Sequence, residues 1–493
     1  MQLANKVVLI LIGKINIIKQ IYNMKQIQVP KKKSLERYFH NYRKILAAFA
    51  LLFALITTSS AQTATYVTKA IDTGLLKQDF RVFKDSLEKL HGGLYRYKSK
   101  KQMDQLFESN RAKLEQPMTL LTYYAIICNI VSGIEDEHTS AFLPNDAIKE
   151  LIAQARLFPL TLRFIGAKAY ITCDTKGLLA GTEITIIDHI SINKLRDKLF
   201  DYIPSDGSIK TGKYAEMNDG ENPFFYVYYL VYGEKPVFDV GFISPDGKKG
   251  NIQLKADLFK NIECHRQPEP VTQYLNLSYP QGDIALLTVK SFHNFKLEKT
   301  NENLARFFKD AFEEIAKKDI KNLIIDVRDN GGGEDNNGAL LDSYLTGQPF
   351  SYYASIQSNT KKFQVKDHDQ LALQQPHENN FKGRIYVLIN GSCFSGTSDF
   401  CGIARKFPNV KFIGEETGGG YYGNTSGARA TLVLPNTKIK VNIPLWEYFN
   451  AVKPSKYKDR GIIPDYNIVP SITDFIQHKD VQMEFALKLA EAN

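Results

Sequence analysis

Cysteine is scarce in this chain of 493 residues. The five present (Cys128, Cys173, Cys264, Cys393 and Cys401) are odd in number and widely spaced, so they show neither a disulfide framework nor metal-ligand spacing. Cys393 and Cys401 read as small, buried packing residues. No stretch resembles a nucleotide-binding loop or a zinc-binding helix, and no cofactor or metal is expected. Basic surface is also lacking once the net charge of +10 is located, because ten Lys and Arg against Glu36 alone place +9 of it between residues 1 and 61. The rest of the chain is close to neutral, which argues against nucleic acid as a partner.

The basic stretch runs into the apolar segment Ile45–Ile56 and then into Thr57-Thr-Ser-Ser-Ala61. That segment is shorter than the roughly 20 residues a spanning helix needs. A positive region, an apolar core, and Ser59 and Ala61 at the minus-three and minus-one positions predict a secretory signal peptide over residues 1–61, cleaved after Ala61. The mature protein is then exported, periplasmic or extracellular, with no stable membrane span. Met24 offers a later start with a basic region of more usual length, and uncleaved retention as an anchor is the alternative.

At about 150 residues per domain, the length suggests roughly three domains. From 62 to 154 the apolar spacing is helical: Phe80, Phe83, Leu87 and Leu90, then Met103, Leu106 and Phe107, then Tyr123, Ile127 and Ile130. Gly92, Gly93 and Pro117 punctuate a small helical bundle that ends in a polar loop holding His138. Residues 155–268 turn to alternating, strand-like segments such as Leu160–Phe164, Ala169–Thr172 and Val237–Val240, which predict a β-rich domain. From 269 to 493 strands and helices alternate, so an α/β domain with parallel pairings is expected, its chemistry at the strand ends.

Two stretches of that last region share one design. In each, Asn322–Val327 and Arg384–Ile389, β-branched residues empty into a loop of glycines and small hydroxylated residues, and a helix pattern follows. Residues without bulky side chains leave backbone N–H groups free to point at an oxygen, the geometry of an oxyanion hole. Ser395, which follows the second strand among Gly391, Ser392 and Gly396, reads as a nucleophile for acyl transfer; Ser392 and Ser398 sit less favourably. A serine needs a base. His40 leaves with the signal peptide, His91 lies at a helix end beside two glycines, and His368, His377 and His478 lie in polar, surface-like stretches, whereas His138 occupies a compact loop at a domain edge.

Asp326-Val-Arg-Asp-Asn-Gly-Gly-Gly333, Asn390-Gly-Ser-Cys-Phe-Ser-Gly396, Gly414-Glu-Glu-Thr-Gly-Gly-Gly420 and Gly461-Ile-Ile-Pro-Asp465 resemble, in order, the motifs of the C-terminal processing and tricorn-like serine peptidases. The resemblance covers most of residues 70–490, and the Leu-x-Gly-x-x-Ile segment at 179–184 is similar to that family's PDZ-like domain. It implies an α/β, crotonase-like βα spiral as catalytic core, preceded by a small helical bundle and a β-rich PDZ-like domain. It also implies Ser395 as nucleophile, Gly332 and Gly396 as oxyanion donors, and protein or peptide substrates. The processing peptidases place a lysine where this chain has glycine in Thr417-Gly-Gly-Gly420, so a Ser-Lys dyad is not expected; tricorn-like relatives use a histidine from the preceding region, where His138 falls. The tricorn-like glutamate aligns with Lys458, which leaves Asp459, Glu415 and Glu416 as rivals for a third role, while Asp326 and Arg328 read as braces of the first loop.

Two other functions compete. Ser86-Leu-Glu-Lys89, Ser191-Ile-Asn193 and Lys210-Thr-Gly212 match the short motifs of penicillin-recognising enzymes, but the last two lie too close together for that fold. A catalytically inactive scaffold that binds peptides through its PDZ-like domain is the second, since fold alone does not give function.

Overall fold

Helix α1 (Thr73–Leu90) forms because Asp72 caps it and Leu76, Phe80, Phe83 and Leu87 recur on one face, all four buried. The coordinates are a computed structural model that describes residues 67, 69–264 and 271–492; the expected signal peptide lies outside them. Helices α2 (Lys100–Arg111) and α3 (Leu120–Ile134) complete the helical region. Ser99 and Gln102 form a capping box on α2. Ser86, of the penicillin-recognising alternative, lies within α1 beside buried Leu87.

Glu135 ends α3 in the left-handed conformation (φ 63°) and turns the chain into the loop that carries His138. Strand β1 (Ser140–Phe142) follows, then α4 (Asn145–Gln154). Next come β2 (Arg163–Ile165), β3 (Lys168–Tyr170), β4 (Glu183–Ile187), α5 (Ile192–Phe200), α6 (Lys210–Asn218), α7 (Phe224–Tyr232), β5 (Val237–Ile243) and β6 (Lys249–Lys255). The strands form an antiparallel sheet in the order β6-β5-β4-β3-β2. Helices α6 and α7 are additions to the sequence expectation. Phe224–Tyr232 is apolar or aromatic on all sides, so no 3.6-residue stripe marks it as a helix.

The C-terminal region contains β7 (Leu275–Gln281), β8 (Ile284–Val289), α8 (Leu304–Lys317), β9 (Asn322–Asp326), α9 (Asp335–Ser343), β10 (Tyr353–Ser358), β11 (Arg384–Ile389), α10 (Gly396–Ala404), β12 (Val410–Gly414), β13 (Thr425–Val433), β14 (Lys440–Asn450), β15 (Tyr466–Asn467) and α11 (Val481–Glu491). The main sheet runs β7-β8-β9-β11-β12-β15, parallel except for β7. Its central strands are covered on both faces. Leu323, Ile325, Ile385, Val387 and Ile389 join one core, whereas Ile324, Tyr386 and Leu388 pack with Ala486 and Ala490 of α11. An antiparallel sheet, β10-β14-β13, stands beside it.

Two joints tie the helical region to that second sheet. Strand β1 pairs with β14, Ser140 opposite Asn442 and Phe142 opposite Lys440. The buried carboxylate of Asp79 on α1 accepts the N–H groups of Asn436 (2.9 Å) and Thr437 (2.8 Å) in the β13–β14 turn. Gly92 follows the end of α1, as expected of helix punctuation, and is also a site of close approach: a Cβ there would meet the Leu445 carbonyl oxygen at 2.6 Å. One apolar cluster runs from the helices through the β-rich region and takes in Leu434, Ile439, Val441 and Ile443. Residues 65–493 accordingly form one compact unit.

The cysteines correct the sequence reading. Cys173 and Cys264 are disulfide-bonded with Cα atoms 5.7 Å apart, while Cys128, Cys393 and Cys401 are free and buried. With the partners 91 positions apart, spacing carried no signal, and only the fold brings them together. Closing so long a loop restricts the unfolded chain, so replacing both cysteines by alanine should lower unfolding free energy by about 2–4 kcal/mol. Urea denaturation of the two forms measures this; equal midpoints at equal slope would refute it.

Candidate active site

The two glycine loops meet at the ends of β9 and β11 and are knitted together by asparagines. The Asn390 side-chain oxygen accepts the N–H of Asp329 (3.1 Å) and Ser392 (3.1 Å), and its amide donates to the Asp329 carboxylate (2.8 Å). Asn330 donates to the Val289 carbonyl (3.0 Å) and accepts the N–H of Gly332 (2.9 Å). Asp326 and Arg328 brace the first loop from beneath, the guanidinium reaching Asp326 at 2.9 Å and Asp480 at 2.7 Å.

Ser395 lies immediately before α10 with φ 54° and ψ −131°, a conformation strained for any residue with a side chain. Its surroundings enforce that turn. A Cβ on Gly332, itself at φ 98°, would meet the Phe394 carbonyl oxygen and Ser395 Cβ at 2.8 Å. A Cβ on Gly419 would meet Ser398 Oγ at 2.3 Å. Ser398 is occupied structurally, donating to the Cys393 carbonyl (2.9 Å).

His138 Nε2 lies 3.0 Å from Ser395 Oγ, and its ring packs on Phe394 with centroids 4.5 Å apart. The loop that presents it is held by its backbone: Glu137 N–H donates to Asp206 (3.1 Å), His138 N–H to Asp136 (3.2 Å), and the Glu135 carbonyl accepts Gly207 N–H (2.9 Å). His138 Nδ1 is buried without a hydrogen-bond partner, and Asp136 Oδ1 lies 4.0 Å from it.

Asp136, to which the sequence reading gave no role, is the hub of this buried cluster. Its Oδ2 lies 2.9 Å from His91 Nε2 and accepts the Thr139 hydroxyl at 2.5 Å. His91 Nδ1 accepts Gly93 N–H (3.1 Å), which places the His91 proton on Nε2, facing Asp136. Burial alone would raise the Asp136 carboxyl, but the hydrogen bond from His91 and the nearby imidazoles outweigh it and hold the group below its ordinary value. Asp206 is driven the other way by burial and by the Asp136 charge. Burial likewise lowers His138, opposed by Asp136 and reinforced by Arg429. The residues behind the serine therefore hold a neutral imidazole near one buried negative charge.

None of the three residues proposed from sequence for the third role faces His138. Lys458 and Asp459 are exposed, and the Asp459 carbonyl serves as acceptor for Ser208 N–H (2.9 Å). Glu416 is taken by Arg460 and by Gly461 N–H (2.9 Å). Glu415 is part-buried, its backbone bonded to Ile389, with Arg163 as the nearby charge. The missing lysine also has a steric reason: at Gly420 a Cβ would meet the Tyr97 hydroxyl at 2.9 Å.

Two spaces open from the pair. A polar cleft of about 1160 Å³ is lined by His138, Ser395, Gly331, Gly332 and Gly333, and by Arg429. An apolar cavity of about 590 Å³ shares Phe394 with that cleft and extends between α3, α4 and α7, with the exposed Phe142, Ile148 and Ile152 in its wall. Of the N–H groups expected as oxyanion donors, that of Gly396 occupies the first position of α10, where a helix leaves it unpaired. That of Gly332 is committed to Asn330, while Gly333 N–H beside it has no partner among the described residues.

The fold and site together define an α/β protein with a strained serine, paired with a histidine across two glycine loops. Residues 283–468 match peptidase family S41. A probable CtpA-like serine protease of Staphylococcus epidermidis is 20% identical over 254 residues, 49% of this chain and 46% of that protein, so the match spans about half the relative's length. Among solved structures, mature CPAF is similar with a TM-score of 0.58 at 14% identity, covering 84% of this chain and 97% of that one. Mature CPAF complexed with lactacystin gives 0.57 at 14% identity, over 85% and 98% of the two chains. The S41 match takes in both glycine loops and Ser395.

Because burial disfavours the imidazolium, His138 should titrate below the ordinary histidine value of about 6.5. Asp136→Asn removes a charge that favours the protonated form and should lower it further. NMR titration of the labelled imidazole measures both; an upward shift in the variant would contradict the electrostatics.

Proposed function

We propose that this protein is an exported serine endopeptidase that cleaves peptide bonds through an acyl-enzyme on Ser395, with His138 as general base. The contact that carries the proposal is His138 Nε2 to Ser395 Oγ at 3.0 Å, made while the serine sits in a strained turn. His138 accepts the Ser395 proton as Oγ attacks the carbonyl carbon, and the resulting imidazolium returns that proton to the departing amine. Water, deprotonated by the same nitrogen, then releases the acyl group. Asp136 stabilises the imidazolium through space, because at 4.0 Å from Nδ1 it makes no hydrogen bond to it. Gly396 N–H and the uncommitted Gly333 N–H receive the oxyanion, in preference to the Gly332 donor that Asn330 occupies. The Cys173–Cys264 disulfide supports an oxidising, extracytoplasmic location, and no helix among the described residues is long and apolar enough to cross a membrane. The apolar cavity beside Phe394 supports a substrate with a bulky apolar side chain near the scissile bond.

A fluorophosphonate probe should label the parent protein and fail on Ser395→Ala. Labelling of His138→Ala should slow on the order of a thousandfold or more, and that of Asp136→Asn by about ten- to a hundredfold, since the charge is lost but no direct hydrogen bond is. A folded parent that takes up no probe across a pH series would move the assignment to a peptide-binding scaffold.

A further inference from the structure

The polar cleft carries unpaired cations that the proposed hydrolysis does not use. Three of its four carboxylates are engaged: Glu334 accepts Asn294 N–H (2.6 Å), Asp335 lies 3.2 Å from His368, and Asp367 is paired with Lys361 at 2.7 Å, while the exposed Asp369 carboxylate has no side-chain partner among the described residues. The cleft's cations are not engaged. Arg429 and the neighbouring Lys296 and Lys366 line the cleft, and none of the three side chains makes an ion pair or hydrogen bond among the described residues.

Arg429 reaches this position through an irregularity in its strand. The pairing of β13 with β14 slips between Ser426 and Arg429, so that Ser426 lies opposite Trp446 and Arg429 opposite Pro444. Gly427, at φ 63°, sits inside the slip, where a Cβ would meet the Trp446 ring at 2.3 Å. A bulge of this kind turns a side chain away from its regular direction, and it is commonly found beside active sites. Ser426, Gly427 and Arg429 all line the cleft with His138 and Ser395, and the Arg429 charge is close enough to reduce the basicity of His138. An exposed guanidinium held by a bulge, unpaired and facing a nucleophile across an open cleft, is a fork for a carboxylate.

We propose that Arg429 binds a carboxylate of the peptide substrate, either its free C-terminus or an acidic side chain, and so sets which peptide bond lies against Ser395. The peptide comes from the peptidase reading; the binding step can be tested without it.

The test uses the full chain carrying Ser395→Ala, so that peptide is bound and not cut, with fluorescence anisotropy of one labelled sequence in three forms: free C-terminal acid, C-terminal amide, and amide with an internal glutamate. Arg429→Gln should weaken the acid, the glutamate peptide or both by at least tenfold, and leave the plain amide within twofold. Arg429→Lys should fall between parent and Arg429→Gln. Loss confined to the free acid assigns the chain terminus; loss confined to the glutamate peptide assigns the side chain. Equal affinities for all three peptides, affinities indifferent to Arg429, or no binding would overturn the proposal. Arginine-dependent binding by a protein whose Ser395 takes no fluorophosphonate would sink the peptidase and leave the carboxylate site standing.

Discussion

The site depends on a loop of five residues, 135–139, being held rigid between elements distant in sequence. Glu135 bonds Gly207 through its carbonyl, Glu137 N–H is fixed by Asp206, and the strand that follows is paired into β14 some three hundred residues further on. Without these ties His138 would be one solvated loop histidine among several. With them, its Nε2 stands at hydrogen-bond distance from a serine 257 positions away. The same logic explains why the helices and the β-rich region share one apolar cluster with the β13–β14 hairpin. Packing there determines how closely His138 approaches Ser395.

Strain and charge are then concentrated at this junction. The serine is kept at positive φ by glycines that leave no space for Cβ atoms, and such backbone strain is tolerated where surrounding structure over-determines it. Behind the histidine, two buried carboxyls are driven apart in acidity: His91 and Thr139 hold Asp136 ionised, while burial and that very charge favour the neutral form of Asp206. One negative charge favours the imidazolium of the half-buried His138. Two would raise its basicity further but would also cost several kcal/mol of desolvation with too few donors to offset it.

The βα repeats were legible because their strands are short β-branched runs and their helices carry clear stripes; Leu304, Phe308, Phe312 and Ile315 lie on one buried face of α8, and Ile385 to Ile389 lie within β11. The hairpin β13–β14 and helices α6 and α7 were not, because a half-exposed strand and an all-round aromatic helix give weak or misleading periodicity. Asp136 is two residues from His138 in an Asp-x-His-Thr pattern, but an acid beside a histidine in a polar loop is ordinary, and its place as a hub comes from burial.

Local sequence determined the elements that stop at glycine loops, the serine at the mouth of a helix, and the histidine in a compact loop, since these follow from side-chain size and backbone freedom within a few residues. Tertiary structure alone decided that Cys173 meets Cys264, that His138 Nε2 comes within hydrogen-bond distance of Ser395 Oγ, that His91 and Asp136 meet in one buried cluster, and that a bulge turns Arg429 into the cleft. Each of these is a relation between residues distant in the chain, set by packing and strand register, and none is written in the spacing of one segment.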